Sequence, residues 1–341
     1  MSADFAPEAV RLAVIIVTHE SSDSLPRTVP AVLDELRRGD ELIVVDNAST
    51  DGSANLAREL APGATVIETG ANLGYGAGNN RGAEVAAADL LCFLNPDAVP
   101  APGFRDAIVS PATGGRDWGA WQALVTAEEG RVVNTRGGVV HFTGIAWAGG
   151  AGEPLDTTPD PLPEPGFVSG ACLAIPRKSF LYHEDVDLSL RMRLSDGPLG
   201  VEPAARVDHD YEFAKGAAKW RYLERNRWAT VIRTYPAALL ALVLPALLVT
   251  ELALVAVSIE GRWFGQKLRA WGDTLRWLPR LLGERRRIHA APSIGAREFA
   301  AALTADLDSP YLGAAARSRL LGAGLRAYWA IVLALLGGKR R

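Results

Sequence analysis

Three polar or glycine-rich segments, each following an apolar run, constrain the fold of this chain more than any other feature. They are ELIVVDNASTDGS at 41–53, NLGYGAGNNRG at 72–82 and FLNPD at 93–97. Each delivers carboxylates, amides or glycines where a strand is expected to end. In an open α/β sheet, ligands bind at the edge formed by the carboxyl ends of the strands. The three segments are therefore expected to meet at one such edge.

The spacing of apolar residues predicts strands that alternate with helices. The run LAVIIVT at 12–18 is apolar throughout and rich in β-branched residues, as in a strand buried on both faces. Further strands are predicted at 41–46, 65–68, 89–94, 118–126, 131–140 and 167–175, and helices at 24–38, 51–60, about 78–87, 186–194 and 216–234. This order indicates an α/β fold with a doubly wound, mostly parallel sheet and helices on both faces.

Charge and hydropathy divide the chain unequally. Residues 236–341 contain 15 Lys and Arg against 7 Asp and Glu, so they carry +8, and residues 1–235 carry −11. The stretch Pro236–Ser258 is nearly all apolar. An acidic front half with a basic, apolar back half favours a soluble head and a tail on anionic lipid. Nucleic acid is not an expected partner, because the basic residues accompany Leu and Trp rather than a groove-reading motif.

The first segment ends an apolar run with Asp46. A carboxylate at the carboxyl end of a strand can accept a hydrogen bond from a pyrimidine N–H or a ribose hydroxyl. The alternative is a polar β–α turn whose Asp51 or Ser49 caps the next helix.

The second segment is not a dinucleotide fingerprint, since Arg81 stands where that motif requires glycine. What remains is a turn in which Gly74 allows close backbone approach and the amides of Asn72 and Asn80 fix the conformation. An ordinary flexible turn is the alternative.

The third segment places Asn95 and Asp97 at the end of a strand, with Pro96 forcing the chain out of the sheet. A divalent cation that bridges a diphosphate needs only one or two protein oxygens. His209 is a candidate further ligand, although a lone histidine is more often structural. The Asn-Pro-Asp sequence by itself is more often a turn.

The sequence HEDVD at 183–187 crowds three carboxylates beside an imidazole. Mutual repulsion can raise one carboxyl pKa toward that of a useful general base. The alternative is an acidic helix start that favours the helix dipole.

These segments, together with VIIVTHE, VSGACLAI and FLYHEDVDLSLR, resemble family 2 glycosyltransferases, which are inverting enzymes with a GT-A type fold. The likeness covers about residues 10–235 and is nearest to the rhamnosyltransferase-like branch. It implies that Thr18, His19 and Glu20 line a nucleotide pocket and that Asp46 contacts the base.

The same resemblance implies roles for the later residues. Asp97 is the metal-binding end of a DXD-like motif, with His209 a further ligand for Mg²⁺ or Mn²⁺. Asp185, in the Glu184–Asp185 pair, is the catalytic base. One departure stands out: about ten residues that family members usually carry before the Phe-Leu-Tyr run are absent here.

The expected activity is transfer of a sugar from a nucleotide-sugar donor, with rhamnose from dTDP-rhamnose as the first choice, to a cell-wall or surface glycan that is lipid-linked. The alternatives are a galactofuranosyl or other hexosyl transferase, and a non-catalytic nucleotide-binding scaffold in glycan assembly, which the shortened segment favours. The basic helix around Lys215, Lys219 and Arg221 is a further candidate to hold the pyrophosphate, and the alternative is that this helix faces lipid.

The expected domains are a GT-A catalytic domain at 1–235 and a helical membrane-associated region at 236–341. A single crossing by Pro236–Ser258 would put many arginines on the outer side, against the positive-inside rule. A re-entrant hairpin or in-plane amphipathic helices on the cytoplasmic face of the cell membrane are therefore favoured, with Trp263, Trp271 and Trp277 at headgroup level. The alternative is that these helices pack on each other or on a second subunit in a homo-oligomer.

Overall fold

The computed structural model describes residues 10–180, 185–195, 197–209, 216, 218–309 and 318–337. The chain divides into two compact units. Unit 1 consists of residues 1–138, 148–192 and 197–211, and unit 2 consists of residues 139–147, 193–196 and 212–341.

A mixed, nine-stranded sheet forms the centre of unit 1. Its strands are β1 (Leu12–Thr18), β2 (Glu41–Asp46), β3 (Thr65–Glu68), β4 (Leu90–Leu94), β5 (Val99–Pro100), β6 (Ala120–Ala127), β7 (Val132–Thr135), β10 (Cys172–Pro176) and β11 (Leu199–Asp208). The order is β3-β2-β1-β4-β10-β6-β11-β5, with β7 paired to β6. Strands β8 (Gly138–Val140) and β9 (Ala146–Ala148) form a separate pair.

Helices cover both faces of this sheet, as the sequence predicts. They are α1 (Leu25–Glu35), α2 (Ser53–Leu60), α3 (Tyr75–Val85), α4 (Phe104–Thr113) and α5 (Asp185–Leu194). One buried cluster joins Leu12, Val14 and Ile16 of β1 to α1, α2 and α4. A second joins the alternate β1 residues to α3 and α5. Because side chains alternate along a strand, a continuously apolar β1 supplies both cores.

The strand register brings the polar segments to one edge of the sheet. Strands β1, β2 and β4 run parallel, with Thr18 opposite Asp46 and Ile16 opposite Leu94. Strand β10 runs antiparallel to β4, so its first residue, Cys172, lies opposite Leu94 at that same edge. The polar residues that end β1, β2 and β4 therefore share an edge with Gly170 and Ala171, which lead into β10.

Two predicted strands are shorter in the structure. The run at 131–140 divides into β7 and β8 because Gly137 adopts a φ of +111° between them. The run at 167–175 becomes a strand only at Cys172, because the preceding N–H groups donate to side chains instead of to a strand. Val168 donates to Ser189 Oγ and Ser169 to Gln122 Oε1.

Unit 2 is largely helical. Its helices are α6 (Ala218–Thr234), α7 (Ala237–Glu260), α8 (Phe264–Ile288), α9 (Ala296–Ala301) and α10 (Arg319–Leu335). Within the described residues, α7 is the one helix long and apolar enough to cross a membrane, with a mean hydropathy of 2.5 in its most apolar window.

The three tryptophans expected at headgroup level contact neighbouring helices of unit 2. For Trp263 the expectation is wrong, since this side chain is buried and its ring stacks on Trp220 at 4.9 Å. Trp271 donates its ring N–H to Glu251, and the Trp277 ring lies 4.3 Å from the Arg225 guanidinium. These rings therefore contribute to packing between helices, which the sequence alone does not reveal.

Candidate active site

Asp46 ends β2 with a buried carboxylate, each oxygen of which accepts a hydrogen bond. One oxygen accepts a hydrogen bond from Thr18 Oγ1 at 2.9 Å, and the other accepts from the Ser49 N–H at 3.0 Å. Only 2% of Asp46 is exposed. Because Thr18 and Asp46 are register partners in parallel strands, the sheet itself sets this contact. The carboxylate thus orders the turn after β2.

His19 and Glu20 follow β1 and contact the same turn. His19 Nδ1 lies 3.1 Å from the Asn47 carbonyl oxygen. The Glu20 carboxylate accepts from the Thr50 N–H at 2.7 Å and from Thr50 Oγ1 at 3.1 Å. His19 and Glu20 are both exposed to solvent. They therefore tie the loop after β1 to the loop after β2 and leave polar groups accessible.

The expected cap of α2 has a different form. Gly52 is the N-cap residue, and no side chain caps from that position. Asp51 instead accepts from the Ser53 N–H at 3.0 Å and from the Ser22 N–H at 2.8 Å. Burial raises the pKa of the Asp51 carboxyl, but the hydrogen bonds from the Ser53 hydroxyl and from the Ser22 and Ser53 N–H groups outweigh it and hold the pKa well below its usual range. Asp51 is thus another link between the two loops.

The second segment is helical over most of its length, because α3 begins at Tyr75 rather than near residue 78. Asn72 Oδ1 accepts from the Gly74 N–H at 2.9 Å, which fixes the turn before the helix. Gly74 has a φ of +84°, a conformation that favours glycine. Asn80 lies within α3, and its buried Oδ1 has no hydrogen-bond partner among the residues that the structure describes.

Two other glycines of this segment allow α3 to lie close against the sheet. A Cβ on Gly78 would stand 2.7 Å from Val17 Cγ1, and one on Gly82 would collide with Ile15 Cγ2. At Gly78 and Gly82, the absence of a side chain therefore allows helix α3 to lie close to strand β1.

Asn95, Asp97 and His209 come together beside the carboxyl end of β4. His209 Nε2 lies 3.1 Å from Asp97 Oδ1 and 3.4 Å from Asn95 Nδ2. His209 directly follows β11. Because β11 pairs with β5, which begins at Val99, the His209 imidazole lies close to Asp97. The His209 side chain is 4% exposed and that of Asp97 is 38% exposed. The pair is therefore open to solvent from the carboxylate side.

This donor set fits a divalent cation of the Mg²⁺ or Mn²⁺ type. A carboxylate and an imidazole are already close, and the partly exposed carboxylate leaves room for ligands from a diphosphate or water. Among the residues that the structure describes, no group of three or more His, Cys, Asp and Glu side chains converges on a metal position. The protein's part would be the Asp97–His209 pair.

Asp185 begins α5 and contacts the segment that leads into β10. Its carboxylate accepts from the Gly170 N–H at 3.2 Å and from its own helix at the Val186 N–H at 2.8 Å. Burial raises the pKa of this carboxyl, and the two N–H groups oppose that effect in part. Glu184, the other predicted catalytic residue, lies outside the described residues.

Main-chain hydrogen bonds connect Asp185 to the Asp97 region. Gly170 donates to Asp185, and the next residue, Ala171, accepts from the Asn95 N–H at 3.0 Å. The segment around Gly170 therefore links the carboxyl with a raised pKa to the carboxylate–imidazole pair at one edge of the sheet.

Sequence reasoning missed Tyr75 and Asn47. The Tyr75 hydroxyl donates to the Gly170 carbonyl at 2.6 Å, and burial raises the pKa of this phenol. Asn47, only 2% exposed, donates to the Gly74 carbonyl at 3.1 Å and joins the first two segments. Both residues lie inside the recognised segments, but only the fold reveals their partners.

The basic helix α6 engages its own unit. Arg221 forms a two-point contact with Asp273, at 2.6 and 2.9 Å, and the Lys219 amine lies 5.5 Å from the Trp220 ring centre. The Arg221 guanidinium is thus committed to α8 rather than to the pyrophosphate for which it is a candidate, and Lys215 lies outside the described residues.

The mixed sheet, its covering helices and the polar edge define a glycosyltransferase fold of the GT-A type. The structure is similar to that of GalNAc-T7 crystallised with UDP, GalNAc and Mn²⁺, with a TM-score of 0.53 and 18% identity. The match covers 67% of this chain and 48% of that one, so this chain spans about half the length of that protein.

Residues 13–175 match the model of glycosyl transferase family 2. The chain is also 27% identical over 257 residues to the N-acetylglucosaminyl-diphospho-decaprenol L-rhamnosyltransferase of Mycobacterium tuberculosis, in strains CDC 1551 / Oshkosh and ATCC 25618 / H37Rv. That similarity covers 65% of this chain and 83% of the relative.

Proposed function

We propose that this protein is an inverting glycosyltransferase that moves a sugar from a nucleotide donor to a lipid-linked cell-wall or surface glycan. The observation that carries the proposal is the link through Gly170 and Ala171 between Asp185 and the Asp97–His209 region. L-rhamnose from dTDP-rhamnose is the proposed donor, on the strength of the mycobacterial relative. A galactofuranosyl or other hexosyl donor is the alternative.

Asp185 is proposed as the general base. Its carboxylate takes the proton of the acceptor hydroxyl while that oxygen attacks the anomeric carbon of the donor sugar. The bond between the anomeric carbon and the diphosphate oxygen breaks at the same time, and the nucleoside diphosphate leaves with the electron pair. A single displacement of this kind inverts the anomeric configuration. The raised pKa of Asp185 makes it a stronger base than an exposed aspartate.

Asp97 and His209 are proposed to hold Mg²⁺ or Mn²⁺, with Asn95 beside them. A bound cation there would neutralise charge on the departing diphosphate. The protein's own contribution is to hold a carboxylate and an imidazole together at the end of β4 and β11. Their spacing depends on the antiparallel pairing of β11 with β5.

The nucleotide is proposed to bind over the loops after β1 and β2. Asp46 is buried, so its proposed contact with the base requires the surrounding turn to present one of its remaining acceptor positions. Thr18, His19 and Glu20 fix that turn, and Asn72 and Gly74 shape the neighbouring one, which leads into the helix that carries Asn80.

Residues 236–341 are proposed to associate with membrane lipid at the cytoplasmic face of the cell membrane, beside a catalytic domain at 1–235. The apolar helix α7 supports this proposal. A lipid-linked acceptor would then lie in the same surface to which the enzyme is bound.

The test is transfer and donor hydrolysis with a panel of nucleotide sugars in the presence of Mn²⁺, comparing wild type with Asp185→Asn. Asp34→Asn, at an exposed position, is the matched control for the change of carboxyl to amide. We expect a loss on the order of 10²–10⁴-fold for Asp185→Asn and none for the control. Nucleotide binding without turnover in the wild-type protein would support the scaffold instead, and equal rates would remove Asp185 from its role.

A further inference from the structure

Helix α7 carries a carboxylate that is held by cations from two other helices of unit 2. Glu251 contacts Arg227 of α6, and it accepts from Lys267 of α8 at 2.8 Å. Lys267 is fully buried and also contacts Glu224 at 2.5 Å, while Trp228 and Trp271 donate their ring N–H groups to Glu251. This ionic cluster fastens α6, α7 and α8 to one another.

The position of Glu251 matters for a helix of this length. At about 1.5 Å per residue, α7 is about 36 Å long, enough to cross a hydrocarbon layer of about 30 Å. Glu251 is the fifteenth residue of Ala237–Glu260, so a crossing helix would place it within that layer. Its partners Arg227 and Lys267 would have to lie at the same depth.

Helix α8 is unsuited to that depth. The side chains of Arg276 and Arg280 are 76% and 75% exposed, so in a spanning arrangement they would face lipid. Charged side chains are rare inside a bilayer and almost always face protein or a water-filled cavity there. A crossing by α7 therefore requires either rupture of the ionic cluster or exposure of α8 arginines to hydrocarbon.

The outward faces of the two helices suit the surface of a membrane instead. The exposed residues of α7 include Leu244, Leu248 and Leu252, which are spaced four apart and form one stripe. On α8, Leu268, Leu275 and Leu282 are exposed at a spacing of seven, with Arg269, Arg276 and Arg286 exposed next to them. Leucines flanked by arginines are typical of a helix at the interface of an anionic bilayer.

We infer that α7 and α8 form a monotopic membrane anchor: both lie in the plane of one leaflet, and the arginine-flanked leucine face of α8 contacts anionic headgroups. The inference rests on the membrane association proposed above and specifies its geometry and its lipid. The positive charge of the α8 face commits the partner to an anionic bilayer rather than to a second copy of the chain.

Membrane geometry is tested with single cysteines at Ala218, before α7, and at Arg262, after it, in the full chain. Both positions are exposed, whereas the native Cys92 and Cys172 are fully buried. An impermeant maleimide is applied to spheroplasts and to inverted membrane vesicles. We expect both positions to be labelled from the same side. Labelling from opposite sides would overturn the in-plane arrangement while leaving membrane association intact.

Lipid choice is tested by flotation of the purified protein with phosphatidylcholine vesicles that contain or lack phosphatidylglycerol. We expect binding to the anionic vesicles, reduced on the order of a hundredfold by combining Arg269→Gln, Arg276→Gln and Arg286→Gln. The matched control combines Arg27→Gln, Arg38→Gln and Arg58→Gln, three exposed arginines of unit 1, and should bind as wild type.

Three outcomes of the flotation experiment would contradict the inference in different ways. Equal binding to both vesicles would overturn the anionic-lipid contact. Failure to bind any vesicle would overturn membrane association as well. Self-association in place of vesicle binding, measured by light scattering, would assign the two faces to a second copy. Glycosyl transfer to a soluble acceptor analogue is measured separately, so failure of the proposed activity remains distinguishable.

Discussion

The imidazole Nε2 of His209 lies 3.1 Å from the Asp97 carboxylate, although 111 residues separate them in the chain. Strand β11 ends at Asp208 and pairs with β5 directly after the Asn95–Asp97 segment. The sheet thus assembles a carboxylate–imidazole pair at the edge where the other polar segments lie. If this pair binds a divalent cation, its two members must affect metal dependence alike.

Asp97→Asn and His209→Gln should each raise the Mn²⁺ concentration needed for half-maximal transfer by on the order of tenfold to a hundredfold. The reason is loss of one of two protein ligands, with the nucleotide-binding loops unchanged. The measurement is a Mn²⁺ titration of initial rate at saturating donor. Asp106→Asn, a partly exposed carboxylate, is the control. Unaltered Mn²⁺ dependence in both variants would exclude the pair as ligands.

The pH dependence of kcat/KM should carry an acidic limb set by Asp185. Burial raises the pKa of this carboxyl, and the ionised form is the one that accepts a proton. Activity should therefore rise with pH through the raised pKa, above the pH at which an exposed aspartate ionises. The residual activity of Asp185→Asn should lack this limb. A limb that persists in the variant would assign it to another group.

Ionisation of Asp185, which should raise activity, should lower the stability of the folded protein. Because the folded-state pKa is raised, the folded protein favours the neutral carboxyl, and that stability is lost as pH rises through the folded pKa. Asp185→Asn, which is neutral at every pH, should be at least as stable as wild type near neutral pH. Urea unfolding at neutral and acidic pH checks this, and a variant less stable at neutral pH would contradict it.

Gly82→Ala should destabilise unit 1 by about 1–3 kcal/mol, since overpacking between α3 and β1 forces the backbone to shift. The added methyl would meet Ile15 and Val45 side chains. Gly63→Ala is the matched control, because nothing lies within 4 Å of its added Cβ and its φ is not positive. The free energy of unfolding in urea is the measurement. Equal values for the two variants would show that α3 does not need this close approach.

Lys267→Met should cost about 3–5 kcal/mol, because it removes one of the two cations, Lys267 and Arg227, that contact the carboxylates of both Glu224 and Glu251, and so leaves one negative charge uncompensated. Adding Glu251→Gln to the same chain should recover part of the loss, since one uncompensated charge is then removed. A double-mutant cycle in detergent or with vesicles measures this coupling. Strict additivity of the two substitutions would show that the residues act independently.

Much of the architecture of unit 1 follows from local pattern. The apolar runs that become β1, β2, β3 and β4 predict their strands within a residue or so, because buried parallel strands must be continuously apolar. The helices between them follow from periodicity. Local pattern is less informative where side chains compete for backbone N–H groups, as at Val168 and Ser169 before β10.

The candidate site divides in a similar way. Asp46, Asn72, Asp97 and Asp185 stand out in the sequence because polar residues end apolar runs or cluster. Tyr75, Asn47 and Gly170 do not stand out, since the local sequence around a tyrosine, an asparagine or a glycine does not indicate its hydrogen-bond partner in the fold. The arginines of α6 were equally ambiguous, because only the fold directs Arg221 to Asp273.

The alternation of strands and helices, the polar edge and the apolar character of α7 can be read from local sequence, because each depends on the order of residue types along a short stretch. The folded chain is needed to see that His209 contacts Asp97, that Gly78 and Gly82 allow α3 to approach β1, and that Glu251 contacts Arg227 and Lys267. These contacts join residues far apart in the chain, and strand register and helix packing, rather than local composition, set their distances.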